Sequence, residues 1–397
     1  MTKAPAATAR VLAGIGEIAA DRWDALANPD GQPFNPFVSH AFLRALEDSG
    51  SATRKTGWTP RHIVVEGDDG AAVGALPCYA KTHSRGEYVF DWSWADAFER
   101  AGGHYYPKLQ ASVPFTPATG PRFLTKPGAD RDRNRALLAQ ASIALAEQTG
   151  ASSVHVTFLT DEEAGLLADG RTWLKRTDTQ FHWHNADYAT FDDFLADLAS
   201  RKRKNIRKER EAVARAGITL ECVTGKDLAE KHWDAFFQFY MDTGARKWGS
   251  PYLTRAFFSQ VGETMADHTL LVMARRNGRY IAGALNFIGS DALYGRNWGA
   301  IEHHDCLHFE TCYYQAIEFA IARKLARVEA GAQGPHKLAR GYLPVETQSL
   351  HHIVHPGLSR AVAEYLAAER RAIAEDNAAL TEHSPFRRDP AREEADF

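Results

Sequence analysis

The chain has 397 residues, of which 44% are hydrophobic and 24% are charged, and its formal net charge is -3. This length predicts roughly two or three soluble domains, and the near-neutral charge excludes a protein that binds polyanions over its whole surface. The four cysteines form no CxxC pair, which excludes a disulfide framework, and no segment approaches the roughly 20 apolar residues of a membrane-spanning helix. Because no secretory leader is visible, we expect a cytoplasmic protein with no integral membrane contact.

The first half of the chain predicts helices, a hairpin, and then a helix followed by a strand. Apolar residues recur at helical spacing near the N-terminus, where Ser39 is a suitable N-cap, and they alternate on both sides of the turn at 66–70. Residues 1–10 are expected to be disordered. The predicted elements are helices 18–26 and 39–46, hairpin strands 61–65 and 72–79, strand 88–94, helix 134–150 and strand 153–158.

The second half repeats this order, which indicates a structural duplication of a mixed α/β (α+β) unit with antiparallel hairpins. We predict two domains at 11–190 and 218–370, a basic helical segment at 191–217, and a charged helix end with a disordered tail at 371–397. The predicted elements of the second half are helices 228–243 and 254–265, hairpin strands 269–275 and 280–288, strand 293–298, helix 309–323 and strand 328–330.

The segment 201–210 holds seven basic residues against the single acid Glu209. These cations cannot all be paired within one helix, so the helix is either a solvated face or a contact for the phosphates of RNA, of coenzyme A or of an anionic acceptor. Interleaved aromatic residues are missing, so any contact with RNA is expected at its backbone. The residues predicted to bind a polyanion are Arg201, Lys202, Arg203, Lys204, Arg207 and Lys208.

A glycine-rich loop at 331–344 brings ionisable side chains together. Its glycines permit a close backbone approach, and exposed amides beside cations make an anion site. We therefore predict that Lys337 and Arg340 hold an anionic group and that His336 accepts a proton. Tyr342 is predicted to orient the substrate. The alternative is a turn with solvated cations.

The helix predicted to begin near residue 309 adds further polar groups to this site. Glu310 is predicted either as a proton acceptor or as a charge that complements the helix N-terminus, and His308 and Tyr314 as substrate contacts. His304, His308 and Cys312 have a spacing conceivable for a metal ion, but part of this run precedes the helix, and we expect no metal.

Two other segments carry candidate substrate contacts. Alternation along 294–299 predicts that Tyr294, Arg296 and Trp298 share one face of a strand, and Arg296 and Trp298 are assigned to the substrate site. In the N-terminal half, a proline-rich loop at 112–122 ends in Arg122, which is predicted together with Asp91 to line a cleft, although a scaffold corner is an equal alternative.

The runs ASVPFTPATGPR, RKRKNIRKERE, LHFETCYYQAIEF and GAQGPHKLARGYLP give the chain a recognisable resemblance. Over about residues 15–370 it resembles the FemAB-like proteins, which are labelled peptidoglycan biosynthesis or recognition proteins and belong to the GNAT acyltransferase superfamily. The resemblance implies two GNAT-type folds and transfer of an acyl or aminoacyl group onto an amine. It also implies acyl-CoA or aminoacyl-tRNA as co-substrate, with no permanently bound cofactor.

The functional expectation is an acyltransferase in which the amine attacks an activated carbonyl directly. A GNAT-type pyrophosphate loop with Gln/Arg-x-x-Gly-x-Gly/Ala spacing is missing after Trp298, which weakens the ordinary acetyl-CoA reading. The expected partners are a small-molecule or peptide amine acceptor and tRNA. A non-catalytic module that binds a cell-wall precursor or an amino ligand, and an RNA-binding accessory protein, are the alternatives.

Overall fold

The computed structural model describes residues 7–247, 251–332 and 334–387. The predicted tail therefore lies outside the described residues from 388 onward, as do residues 1–6. Within the described part, the chain forms two compact units that are discontinuous in sequence. Unit 1 consists of Met1–Asp178, Tyr252–Met265 and Glu346–Ile373, and unit 2 of Thr179–Pro251, Ala266–Val345 and Ala374–Phe397. The domain boundaries predicted from the sequence stay a prediction.

Fourteen strands are found in the described part of the chain. They are β1 Thr8–Leu12, β2 Trp58–Pro60, β3 His62–Glu66, β4 Ala72–Leu76, β5 Tyr79–Lys81, β6 Lys108–Ala111, β7 Ser153–Leu159, β8 Leu174–His184, β9 Ile218–Thr224, β10 Thr269–Arg276, β11 Arg279–Ile288, β12 Ala292–Ala300, β13 Arg327–Ala332 and β14 Leu343–Ile353.

The helices accompany these strands in chain order. They are α1 Ala20–Ala27, α2 His40–Asp48, α3 Trp92–Arg100, α4 Arg131–Thr149, α5 Asp161–Leu167, α6 Phe191–Asp197, α7 Ser200–Arg215, α8 Glu230–Lys247, α9 Arg255–Thr264, α10 Leu307–Phe309, α11 Gln315–Ala322 and α12 Pro356–Glu382. A π-helical turn at Glu310–Tyr314 joins α10 to α11.

Unit 1 contains a small antiparallel sheet in the order β1-β3-β4 and a larger sheet in the order β2-β5-β6-β7-β14. Strands β6 and β7 are parallel, with Leu109 opposite Val154 and Ala111 opposite Val156. Parallel neighbours need a crossover connection, and α4 supplies it. Every residue of β7 is buried, as expected for a strand covered on both faces.

Unit 2 has the strand order β8-β13-β12-β11-β10-β9. Its strands are antiparallel except for β12 and β13, which run parallel from the Ala292–Arg327 pair to the Tyr294–Glu329 pair. The helix that spans 307–322 makes the crossover between them, and it buries Ile317 against Leu293 and neighbouring apolar residues. Each unit therefore has one parallel strand pair joined through a helix, which supports the predicted duplication and confirms the mixed α/β class.

Most predicted elements are present, and the exceptions have local causes. The aromatic run at 88–94 is not a strand: Tyr88 has a φ of 63°, and the carbonyl of Asp91 accepts hydrogen bonds from Trp94 and Ala95 as α3 begins. Residues 8–10, predicted to be disordered, belong to β1 and pair with β3. Strands β2, β6, β8, β9 and β14 were not predicted. In β8, the charged residues at its start hide the alternation.

Candidate functional site

The candidate site of unit 2 lies where the parallel strands β12 and β13 stop pairing. The last paired residues are Tyr294 and Glu329, after which β12 continues beside β11 alone. In sheets of this kind, ligands bind in the crevice beyond the carboxyl ends of parallel strands. The glycine-rich loop follows β13 and forms a 3-10 turn at Pro335–Arg340 that ends at Gly341, whose φ is 89°. The loop that the sequence singles out therefore begins where β13 ends.

The crossover helix borders this crevice with an irregular turn. The π-helical turn at Glu310–Tyr314 accommodates an extra residue, and both Tyr313 and Tyr314 are buried. Such turns are uncommon and occur frequently at functional sites. Its consequence here is that Tyr313 approaches the loop after β13.

His336 is the exposed ionisable group of the loop. Its Nε2 atom lies 3.0 Å from the hydroxyl of Tyr313, and its ring centroid lies 6.2 Å from that of His308. Partial burial and the positive charge of Arg340 lower the pKa of His336 below its ordinary value. The imidazole is therefore neutral near pH 7 and able to accept a proton.

Arg340 is bound to other protein groups on all sides of its guanidinium. It donates 2.7 and 3.2 Å hydrogen bonds to the carboxylate of Glu209, a 3.1 Å bond to the hydroxyl of Tyr314, and a 2.8 Å bond to the carbonyl of His336. The guanidinium also lies 3.4 Å from the ring centroid of Phe309. Arg340 was predicted to bind a substrate anion. The structure differs from that prediction, because these contacts already balance the charge of the guanidinium.

Lys337 likewise differs from its predicted role. Its side chain is buried, and the ammonium donates 2.8 Å hydrogen bonds to the carbonyls of Ala330 and Gly331. Burial lowers the pKa of Lys337 to about 8. The lysine thus satisfies backbone groups that β13 exposes once it has separated from β12.

Glu310 is held in an ion pair. Both of its oxygens accept 3.1 Å hydrogen bonds from Arg210, and Oε1 also accepts a 2.8 Å bond from Gln315. Arg210 binds Glu318 as well, at 2.8 and 3.0 Å. Because both oxygens of Glu310 are already engaged by Arg210 and Gln315, the geometry favours His336 over Glu310 as the proton acceptor.

The two predicted tyrosines, Tyr342 and Tyr314, are buried beneath the residues that border the crevice. Tyr342 is fully buried, packs edge-on against Tyr313 at 5.3 Å, and donates a 3.4 Å hydrogen bond to the carbonyl of that residue. Tyr314 is also fully buried, and its hydroxyl donates to Glu209. Neither hydroxyl reaches the surface of the crevice.

A β-bulge separates residues that we predicted to share one face. Tyr294 pairs with Phe287 and Trp298 with Ala284, which are three residues apart on β11, whereas the positions on β12 are four apart. Because successive side chains alternate, Tyr294 and Trp298 lie on opposite faces, and the prediction of a common face is wrong. Arg296 lies at the bulge and is half-buried. Trp298 meets the edge of His308 at 5.3 Å.

Two cavities adjoin the end of β12. The first has a volume of about 220 Å³ and is lined by Thr243, Arg246, Trp298, Ala300, Glu302, His303, His304, Leu307 and His308. The second has a volume of about 420 Å³ and is lined by Ala212, Arg215, Ala216, His303, His304 and Asp305. His308 lines the smaller cavity, and its ring centroid lies 6.2 Å from that of His336.

The basic helix α7 is partly engaged by protein groups. Arg207 forms a 3.2 Å ion pair with Asp192, and Arg203 donates a 3.4 Å hydrogen bond to the carbonyl of Ala196. The remaining cations of the predicted set form no ion pair with any residue in the described part of the chain. These are Arg201, Lys202, Lys204 and Lys208.

Two contacts of α7 were not predicted. Glu209 and Arg210 reach the loop and the crossover helix through the ion pairs with Arg340 and Glu310. The sequence did contain a signal for Glu209. It is the single acid among seven basic residues, which indicates that its carboxylate binds a group outside the helix.

The two predicted residues of unit 1 are buried structural groups. Asp91 accepts hydrogen bonds from Lys108 and from the hydroxyl of Tyr105, the latter at 2.6 Å. Burial alone would raise the pKa of Asp91, but Lys108 outweighs it and holds the pKa well below its ordinary value. Arg122 donates to the carbonyls of Ala118 and Thr157 at 2.8 and 2.9 Å. The scaffold alternative therefore describes both residues better than a substrate contact.

The structure offers no cluster suited to a metal among the residues it describes. His304 instead binds Glu302 at 2.8 Å, and His308 packs against Trp298. None of the described helices combines the length and the apolar character needed to cross a bilayer.

Three solved structures align with most of this chain. FemX covers 87% of it and 98% of its own chain, at 12% identity and a TM-score of 0.54. A conserved protein of unknown function from Bacteroides thetaiotaomicron VPI-5482 covers 88% and 100%, at 10% identity and a TM-score of 0.51. The C-terminal domain of a putative lysylphosphatidylglycerol synthetase from Agrobacterium fabrum covers 88% and 95%, at 9% identity and a TM-score of 0.50.

At these identities the likeness concerns the fold alone, and it agrees with the predicted mixed α+β class. The comparison with curated proteins found no match. The family model FemAB_like, described as peptidoglycan biosynthesis/recognition, matches residues 14–388, which is nearly the whole chain. The resemblance inferred from the motifs is therefore confirmed, and the chain belongs to the FemAB_like family.

Proposed function

We propose that the protein transfers an acyl or aminoacyl group from an activated ester or thioester to an amine, in the crevice at the ends of β12 and β13. The observation that carries this proposal is the imidazole of His336 at 3.0 Å from the hydroxyl of Tyr313, together with His308, which lines a cavity of about 220 Å³. Membership of the FemAB_like family supports the same class of reaction.

The reaction needs a proton acceptor and a donor for the developing oxyanion. The amine nitrogen attacks the carbonyl carbon, the new C–N bond forms, and His336 takes the proton that the nitrogen loses. The C–O or C–S bond of the donor then breaks, and the leaving group takes from His336 the proton that the amine lost. Burial raises the pKa of Tyr313, so its hydroxyl stays protonated and can stabilise the tetrahedral oxyanion.

The remaining residues of the crevice position the substrates. Trp298 and His308 line the cavity and offer aromatic surface to the acyl group, and Arg296 lies on the same strand. Tyr342 and Tyr314 act by packing beneath Tyr313 and the helix. Positioning of this kind supplies a large share of the rate enhancement in bimolecular transfer.

The donor is either acyl-CoA or aminoacyl-tRNA, both of which carry phosphates. Four cations of α7 that form no ion pair in the described structure are suited to these phosphates. A polyanionic donor therefore fits unit 2 better than a neutral ester. Its binding is expected to weaken steeply with salt if RNA is the donor.

Mass spectrometry of the products tests the proposal, with charged tRNA and acyl-CoA supplied separately to the full chain and a panel of amines. We expect a new amide with one donor class and a loss of about 100-fold or more in rate for His336→Gln. His104→Gln, which changes an exposed histidine of unit 1, is the matched control. Retained ligand binding without transfer by any donor would favour the binding module instead.

A further inference from the structure

Glu209 lies at the junction between the basic helix and the loop that carries His336. Its carboxylate accepts bonds of 2.7 and 3.2 Å from Arg340 and a further bond from the hydroxyl of Tyr314. Its side chain is about one-fifth exposed, whereas that of Arg340 is almost completely buried. The guanidinium of Arg340 is therefore shielded from water, and a buried charge depends strongly on its partner.

Arg340 links Glu209 to His336. Its guanidinium donates a 2.8 Å hydrogen bond to the carbonyl of His336 and lies over the ring of Phe309. The arginine is thus fixed on one side by Glu209 and on the other by the backbone that sets the direction of the imidazole. Removal of the carboxylate would leave a buried cation that must move or be hydrated.

Arg210, the next residue of α7, also forms ion pairs, but here the helix supplies the cation. Arg210 binds Glu310 and Glu318 of the crossover helix, while Glu209 binds Arg340 of the loop. All three ion pairs would be broken if α7 slid along its axis by one residue. The helix is therefore held in one register against the two segments that place Tyr313 and His336.

Resting on the proposed function, we propose that Glu209 is a positioning residue for the transfer reaction, which holds His336 against Tyr313 through Arg340. Glu209 does not touch substrate in this account. Its effect is expected on the rate of the transfer step rather than on the affinity for substrates, because a displaced base lowers the rate while the cavity is unchanged.

The test combines kinetics with hydrogen exchange of the full chain. Glu209→Gln is expected to lower kcat by about 10-fold to 100-fold, to change KM by less than about threefold, and to accelerate amide exchange within 334–341. Glu211→Gln, which changes an exposed acid two residues further along α7, should leave both readouts unchanged. Glu209→Asp is included to retain the charge, and it should lose less activity than Glu209→Gln.

A double-variant cycle identifies the route. If Glu209 acts through Arg340, Glu209→Gln combined with Arg340→Gln should be no slower than Arg340→Gln alone. Additive losses, or unchanged kcat and unchanged exchange in Glu209→Gln, would overturn the proposal. If the wild-type chain shows no transfer at all, the proposed function fails while the exchange measurement still decides whether Glu209 orders the loop.

Discussion

Arg122 and Lys337 illustrate what single residues do at the ends of the two parallel strand pairs. Thr157 follows Val156, the last residue of β7 that pairs with β6, and its carbonyl accepts a bond from Arg122. Ala330 follows Glu329 in the same way on β13, and its carbonyl accepts a bond from Lys337. Each unit thus uses a buried cation to satisfy the first carbonyl released when the strands part.

Lys337→Met retains an extended side chain but removes the ammonium that binds two carbonyls. We expect the free energy of unfolding to fall by about 1–3 kcal/mol, because buried carbonyls lose their donor. Urea denaturation measures this change, with the exposed Lys231→Met as control. Unchanged stability combined with weaker donor binding would return Lys337 to the anion-binding role predicted from the sequence.

The pH dependence of transfer reports on His336. Because its pKa is lowered, the neutral imidazole persists to a pH below the ordinary histidine value of 6.5. The kcat/KM of the wild-type protein should therefore be constant near pH 7 and fall only below about pH 6.5 as His336 becomes protonated. His336→Gln should lack this acid limb, and an unchanged limb in that variant would assign it to another group.

At the scale of elements, periodicity predicted the two hairpins and most of the long helices, but it missed strands β2, β6, β8, β9 and β14 and the irregularities of the others. The hairpin β10–β11 and the cap of α2, where the hydroxyl of Ser39 accepts a 3.2 Å bond from the amide of Phe42, follow from local residues. The bulge in β12 depends on its partner strand, which the local pattern does not contain. The partner of Glu209 likewise lies more than a hundred residues away.

The contact between β12 and α8 gives a prediction at this scale. A Cβ atom at Gly299 would lie 2.3 Å from the backbone of Phe239, so Gly299→Ala should cost about 3 kcal/mol of unfolding free energy. Gly295→Ala is the matched control, since its Cβ would meet neighbours at 3.4 Å. Both changes restrict the unfolded chain equally, so the difference between them measures the packing. Equal stability of the two variants in thermal unfolding would contradict the packing.

For the whole molecule, the duplicated units have distributed their charged groups differently. In unit 1, the ammonium of Lys108 binds the carboxylates of Glu87, at 2.6 Å, and of Asp91. The Nδ1 atoms of His155 and His351 lie 2.7 Å apart, and all five residues are buried. In unit 2, some ionisable groups are buried and others border cavities. The sequence singled out Asp91 as a charged candidate but gave no sign that it is buried. The residues around it, Lys108 and the two histidines, lie on three separate strands that are distant in the sequence.

Lys108→Met tests the buried network of unit 1. Two buried carboxylates would lose their shared cation, and we expect a loss of about 3–5 kcal/mol in the free energy of unfolding. Lys126→Met, on the surface of the same unit, should have little effect. Calorimetry or urea denaturation distinguishes the two, and a Lys108→Met protein as stable as the control would refute a stabilising role for the network.

Chemical rescue tests the central claim most directly. The rate of transfer to an amine is measured for wild type and for His336→Ala, with and without added imidazole at pH 7. If His336 accepts the proton, the variant should be slower by about 100-fold or more, and imidazole should restore part of the rate. A His336→Ala protein that transfers at the wild-type rate would contradict the account, as would one that is slow and gains nothing from imidazole.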